Sequence, residues 1–94
     1  ADLHAAILRR DRECVLAKID RSGHLCRDAW GHPHAPGDLA KLTIEHVQDG
    51  YGRMGRRAAS DLTHCLALCA GGNLKPPSKV ERAAFRAYLA AVNG

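Results

Sequence analysis

Four cysteines, Cys14, Cys26, Cys65 and Cys69, share a 94-residue chain with only four aromatic rings, Trp30, Tyr51, Phe85 and Tyr88. That combination constrains the fold more than any other feature. A chain this short makes one small domain at most, and it buries only roughly two-thirds of its unfolded surface. With so few rings the core must rest on Leu, Ile, Val and Ala, so a metal or another staple is expected. Four cysteines with no secretory leader in view read as a zinc site or as thiols before they read as disulfides. No apolar run approaches the ~18 residues of a membrane helix, and the expected location is the cytoplasm. The formal net charge of +4 leans toward a polyanionic partner such as nucleic acid.

Hydrophobic periodicity divides the chain. Residues 2–13 read as a helix with Leu3, Ala6, Ile7 and Arg10 on one face, and residues 14–19 continue it or form a short strand. Ser22-Gly23 marks a turn, and residues 28–38, with Gly31, Pro33, Pro36 and Gly37, read as loop. Residues 39–47 predict a strand and 48–61 a second, glycine-containing loop. A second strand covers about 64–69. Gly71-Gly72 and Pro76-Pro77 are expected to break the chain. Ser78-Lys79-Val80-Glu81 fits a capping box that opens a helix to about residue 91, with Val80, Ala84, Ala87, Tyr88 and Ala91 at helical spacing. Two strands alone are marginal, so helices and a bound metal should complete an α+β fold.

The first strand, Leu42-Thr43-Ile44-Glu45-His46-Val47, ends in a carboxylate beside an imidazole. Hydrolysis of a phosphodiester needs a base for water and a cation for the departing oxygen. A neutral imidazole suits the first need near neutral pH, and a carboxylate suits a hard cation. Strand alternation puts residues 45 and 46 on opposite faces, so both serve one site only if the strand ends or twists there. In isolation the pair reads as ordinary surface.

The later segment changes that reading. His64-Cys65-Leu66-Ala67-Leu68-Cys69 follows the long loop, and Asn73 follows Gly71-Gly72. Taken with Leu42 to Val47, this order resembles the HNH endonuclease family, the ββα-metal fold, and looks most like the short stand-alone HNH proteins of actinobacteria and their phages. The motif covers residues 42–73, and the resemblance extends over most of the chain, making residues 1–94 a single HNH domain closed by a helix at about 78–91. It implies a small core with a two-stranded antiparallel hairpin and flanking helices. It also implies a metal-dependent hydrolase that cuts DNA. His46 takes the place of the general base. Glu45 stands where the family commonly has a metal-binding Asp, one methylene shorter. His64 stands where the family usually has an Asn that braces the loop and orients the base. Asn73 matches the last metal ligand. One Mg²⁺ or Mn²⁺ at Glu45 and Asn73, with waters, is the implied catalytic ion.

Many HNH relatives hold a structural zinc with two Cys-x-x-Cys pairs. Here Ala17 and Gly72 stand where the second cysteines would be. Cys14, Cys26, Cys65 and Cys69 could supply four thiolates instead, or a Cys/His mixture could draw on His24, His32 or His34. A Cys14–Cys26 disulfide and simple core packing of Cys65 and Cys69 are the alternatives. His32-Pro33-His34 reads as surface loop. Arg53, Arg56 and Arg57 in the long loop, with Lys75, Lys79, Arg82 and Arg86 around the last helix, offer phosphate contacts. Nothing reads base identity, so DNA should be bound with little sequence specificity, by a monomer or a homodimer. The competing expectations are a DNA-binding module of the same fold without catalysis, and a cysteine-stapled structural domain.

Overall fold

The computed structural model describes residues 2–20, 23–47, 61–73 and 77–94. Arg53, Arg56, Arg57 and Lys75, expected to meet DNA, lie outside the described residues. The first helix, α1 (Leu3–Asp11), stops early because Arg12 turns left-handed at φ 63° and donates its N–H to Leu8 O. Residues 14–19 then form neither a continuation nor a strand but a separate helix, α2 (Val15–Ile19). The predicted strand over 39–47 begins with a 3₁₀ turn at Leu39–Lys41, and only Leu42–His46 is extended, as β1.

The hairpin partner, β2 (Cys65–Cys69), runs antiparallel to β1, with Leu42 opposite Cys69 and His46 opposite Cys65. A helical turn, α3 (Ala70–Asn73), follows β2 directly, and α4 (Lys79–Asn93) closes the chain. The fold is therefore α+β, a two-stranded antiparallel hairpin with helices around it, in a ββα-like layout.

All five residues of β2 are buried, whereas β1 grades from a buried Leu42 to an exposed His46. That is why Cys-Leu-Ala-Leu-Cys is continuously apolar: α1, α2 and α4 all pack on β2. Burying each of Ile7, Leu66, Leu68 and Phe85 contributes about 1.5–3 kcal/mol before chain entropy is set against it.

In a two-stranded sheet each strand has one unpaired edge, and its buried polar groups need other partners. On β2, Cys65 N–H donates to Asp61 O, Ala67 N–H to Asp11 Oδ2 at 2.9 Å, and Cys69 N–H to Cys14 Sγ at 3.3 Å. Arg10 donates to Cys65 O. Asp11 has 0% of its surface exposed, and its carboxylate also accepts from Arg10 at 2.7 and 3.2 Å and from the Tyr88 hydroxyl. A buried charge is tolerable when paired and fully hydrogen-bonded, and this one ties α1, β2 and α4 together. Burial, and then the hydrogen bond to Asp11, raise the Tyr88 hydroxyl above its ordinary pKa.

Two further expectations are corrected. Gly71-Gly72 does not break the chain but lies inside α3. The glycines serve close approach: a Cβ on Gly71 would meet Arg27 O at 3.2 Å, and one on Gly72 would meet Leu16 Cδ1 at 2.8 Å. On α4 the capping box forms, with Ser78 Oγ accepting from Glu81 N–H and Glu81 accepting from Ser78 N–H. The inward stripe, however, is Phe85, Tyr88 and Leu89, while Val80 is 79% exposed on the far side.

Candidate functional site

Four donor atoms meet where α2, the loop after it and the end of β2 converge. They belong to Cys14, His24, Cys26 and Cys69, and all lie within 4.8 Å of one another. His24 Nε2 is 3.7 Å from Cys14 Sγ and 3.2 Å from Cys69 Sγ. A tetrahedral zinc with Zn–S near 2.3 Å and Zn–N near 2.0 Å sets its ligand atoms about 3.5–3.8 Å apart. The cluster could hold a metal such as zinc, and three cysteines with one histidine are a closed structural ligand set.

Local structure prepares the sulfurs for negative charge. Cys14 precedes α2, and its Sγ faces the backbone N–H groups of Ala17 and Cys69. Gly72 N–H donates to Cys69 Sγ at 3.2 Å, and Arg27 N–H also serves that sulfur. Cys69 is drawn down to about 4, first by its hydrogen bond with Cys14 and then by these backbone donors and His24. Its hydrogen bond with Cys69, and then burial, raise Cys14, and burial pushes Cys26 up to about 11. A divalent cation would neutralise several thiolates at once.

The expected set of four cysteines is therefore altered. Cys65 is not in the cluster, and His24 is. Cys65 and Cys69 sit on the same face of β2 but four residues apart, which at about 3.3 Å per residue is about 13 Å. No disulfide joins any of the four cysteines, Cys14 and Cys26 included. His32 and His34 also stay out of the cluster. His32 is exposed on the loop, 3.6 Å from Asp28 Oδ2, and His34 Nδ1 meets Ala35 O at 2.8 Å.

The second polar group lies at the opposite end of the hairpin. β1 ends at His46, and Glu45 and His46 line one concavity of about 210 Å³ with Pro77, Arg82 and Phe85. Termination of the strand is what lets neighbours of opposite parity share a site. Glu45 Oε1 accepts from His46 N–H at 3.1 Å, and burial raises the carboxyl above its ordinary range. Glu45 also lines a larger cleft of about 510 Å³ toward the Cys/His cluster, with Arg27, Asp28 and Glu81.

Asn73 reaches the same strand from α3. The Thr43 hydroxyl donates to Leu68 O at 2.9 Å, so its oxygen is left to accept from Asn73 Nδ2 at 2.8 Å. Nδ2 also donates to Ile44 O at 3.3 Å, the carbonyl just before Glu45. These acceptors fix the amide's orientation and leave Oδ1 outside both bonds. His64 stands at the turn into β2. Its Nδ1 lies 2.8 Å from Asp61 Oδ1 and 2.9 Å from Thr63 Oγ1, and its carbonyl accepts from Val47 N–H at 2.7 Å. It therefore bears on the residue that follows His46. Asp61 is drawn down to about 2 by Thr63 and then by His64. Lys79 is exposed on the first turn of α4.

Comparison of the chain with protein-family models, with curated proteins and with solved structures found no match. The site is accordingly read from its own chemistry. Sequence reasoning named Arg82 only as general charge near the last helix, although one turn of α4 beyond the Ser78 cap carries it to the concavity of Glu45 and His46. It did not single out Asp11, because an acidic residue at the end of a basic helix carries no local signal of burial.

Proposed function

We propose that this chain is a metal-dependent endonuclease of the HNH kind, hydrolysing DNA phosphodiester bonds and stapled by zinc at Cys14, His24, Cys26 and Cys69. The observation that carries the reading is that Glu45, His46 and Arg82 open into one concavity at the end of a hairpin whose following helix ties Asn73 to the same strand. A base, a carboxylate and a cation at one strand end, with an amide tied to the same strand, are the kinds of group phosphodiester hydrolysis uses.

In this mechanism His46 takes a proton from a water as the water oxygen bonds to phosphorus. The bond from phosphorus to the 3′ oxygen breaks, and that oxygen is protonated from solvent. Arg82 holds a non-bridging phosphate oxygen beside the base. His64, through its contacts with Asp61 and Val47, keeps the two strand ends in register and so acts as a positioning residue. Glu45 and the Asn73 carbonyl oxygen would hold a Mg²⁺ or Mn²⁺ ion, which would supply stabilisation of charge on the departing oxygen. Lys79, and the arginines of the long loop with Lys75, add sequence-independent phosphate contacts.

The rival reading is a non-catalytic module stapled by the same metal, and it draws on the Cys/His cluster alone. Plasmid nicking separates the two. The purified chain with Mg²⁺ or Mn²⁺ should convert supercoiled DNA to the open circle, and His46→Ala should not. Cleavage by His46→Ala at the wild-type rate would remove His46 as the base, and no cleavage by the wild type under either ion would leave the rival.

A further inference from the structure

The only tryptophan of the chain is 82% exposed, at the tip of a tight loop. Exposing the largest apolar side chain to water is unusual for a chain so short of core-forming rings, and the loop beneath it is built rather than slack. The segment from Cys26 to His34 folds back on itself, with His34 N–H donating to Cys26 O at 3.1 Å and Asp28 N–H to His32 O at 2.9 Å. Asp28 Oδ1 accepts from the backbone N–H groups of both Trp30 and His32 at 2.9 Å. Gly31 turns at φ +84°, a conformation that favours glycine, and its carbonyl accepts from the Arg27 guanidinium at 2.9 Å. The root of this finger is Cys26, one of the four clustered ligands. Trp30 is thus presented on a rigid support whose ordering cost is already met.

The finger also stands beside the proposed chemistry. Arg27, Asp28, Ala29 and Gly31 line the same cleft as Glu45. Arg27 lies on the finger, and the cleft itself carries the carboxylates of Asp28, Glu45 and Glu81, so what recommends the finger is its exposed indole rather than local charge. An exposed indole on a hydrogen-bonded loop offers a face on which an unpaired base can stack.

We propose that Trp30 is a stacking platform for an unpaired base, so that the preferred substrate is DNA with a single-stranded or locally opened segment lying across the cleft toward Glu45. The proposal rests on the DNA-cleaving reading for its position in the reaction, but its binding test does not. Trp30 is the sole indole, so its emission reports on the finger alone.

The test titrates the full zinc-loaded chain, carrying His46→Ala so that the DNA is not cut, with oligothymidylate and with a blunt duplex. Oligothymidylate should quench Trp30 emission saturably and bind more tightly than the duplex. Trp30→Ala should weaken oligothymidylate binding about 5- to 100-fold, measured by anisotropy of labelled DNA, while Trp30→Phe keeps most of it. Circular dichroism and zinc content should be the same in all three chains, because the indole is exposed. Unchanged emission on DNA binding, or equal affinity of Trp30→Ala and the parent for oligothymidylate, would overturn the platform and leave Trp30 to a protein contact. If the wild type nicks plasmid and the indole does not respond, the platform fails and the endonuclease reading stands. If the indole responds and no phosphodiester is cut, the platform stands and the endonuclease reading falls.

Discussion

The two polar groups of this molecule sit at opposite ends of one hairpin and are built on opposite principles. At the Cys69 end, four donors from three parts of the chain converge, three of them buried cysteines, and backbone N–H groups aim at the sulfurs. At the His46 end, a half-buried carboxylate, an exposed imidazole and a guanidinium face an open concavity. Soft ligands in a closed set suit a metal that stays and holds the fold, whereas oxygen donors at an open edge suit an ion and a substrate that come and go. Under the proposed function the difference separates stability from activity along a strand of five residues. Variants at one end should remove structure, and variants at the other should remove chemistry.

The largest effect is expected at the closed end. Cys69→Ser should abolish metal binding and cooperative folding together, since structural zinc supplies about 10–16 kcal/mol in small zinc domains. Zinc content by mass spectrometry and thermal melts by circular dichroism check this, with a chelator expected to reproduce the loss in the wild type. Cys65→Ala sharpens the contrast: it should keep full zinc content and cost about 1 kcal/mol of packing. Equal loss of zinc from both variants would contradict the division of cysteines described above.

The open end should behave in the reverse way. His46→Ala is expected to lower the nicking rate by about 10²- to 10⁴-fold while zinc content and melting temperature stay at wild-type values. A variant that unfolded would place His46 in the scaffold instead.

The junction between the two ends is Asp11, and Tyr88 probes it. Tyr88→Phe removes one donor from a buried carboxylate and should cost about 1.5–3 kcal/mol in denaturant unfolding. The pH dependence has a definite sign. Because the folded pKa of Tyr88 is raised, its contribution is complete below the unfolded value of about 10 and is lost as pH climbs above it. Tyr88→Phe should therefore lose stability less steeply than the wild type above about pH 10.

The smallest effect is predicted at the start of the helix that carries Arg82. Ser78→Ala removes half of a capping box and should cost about 1 kcal/mol, with nicking preserved. A large activity loss would show that the first turn of α4, rather than its body, sets the position of Arg82.

Much of the fold was legible because it follows short-range rules. The strand ending in Glu45-His46, the apolar run of β2, the Ser78 cap and the helix after it all follow from periodicity and capping chemistry. Glycine punctuation was the misleading signal. Gly71 and Gly72 look like breakers in sequence, yet they are glycine because Arg27 O and Leu16 crowd them from elsewhere in the chain. The ligand set was half legible. Cysteine number pointed to a staple, but the choice of His24 over Cys65 depends on how far an extended strand carries two cysteines apart and which loop returns to one of them.

By itself, then, the sequence determined the two strands, the first and last helices and the adjacency of Glu45 and His46, all of which depend on neighbours a few residues away. Only the tertiary structure decided which four side chains converge on one point, that Asp11 is buried at the junction of three elements, and that Arg82 shares a concavity with His46. Those are meetings between residues distant in the chain, and the packing of helices on β2 sets them.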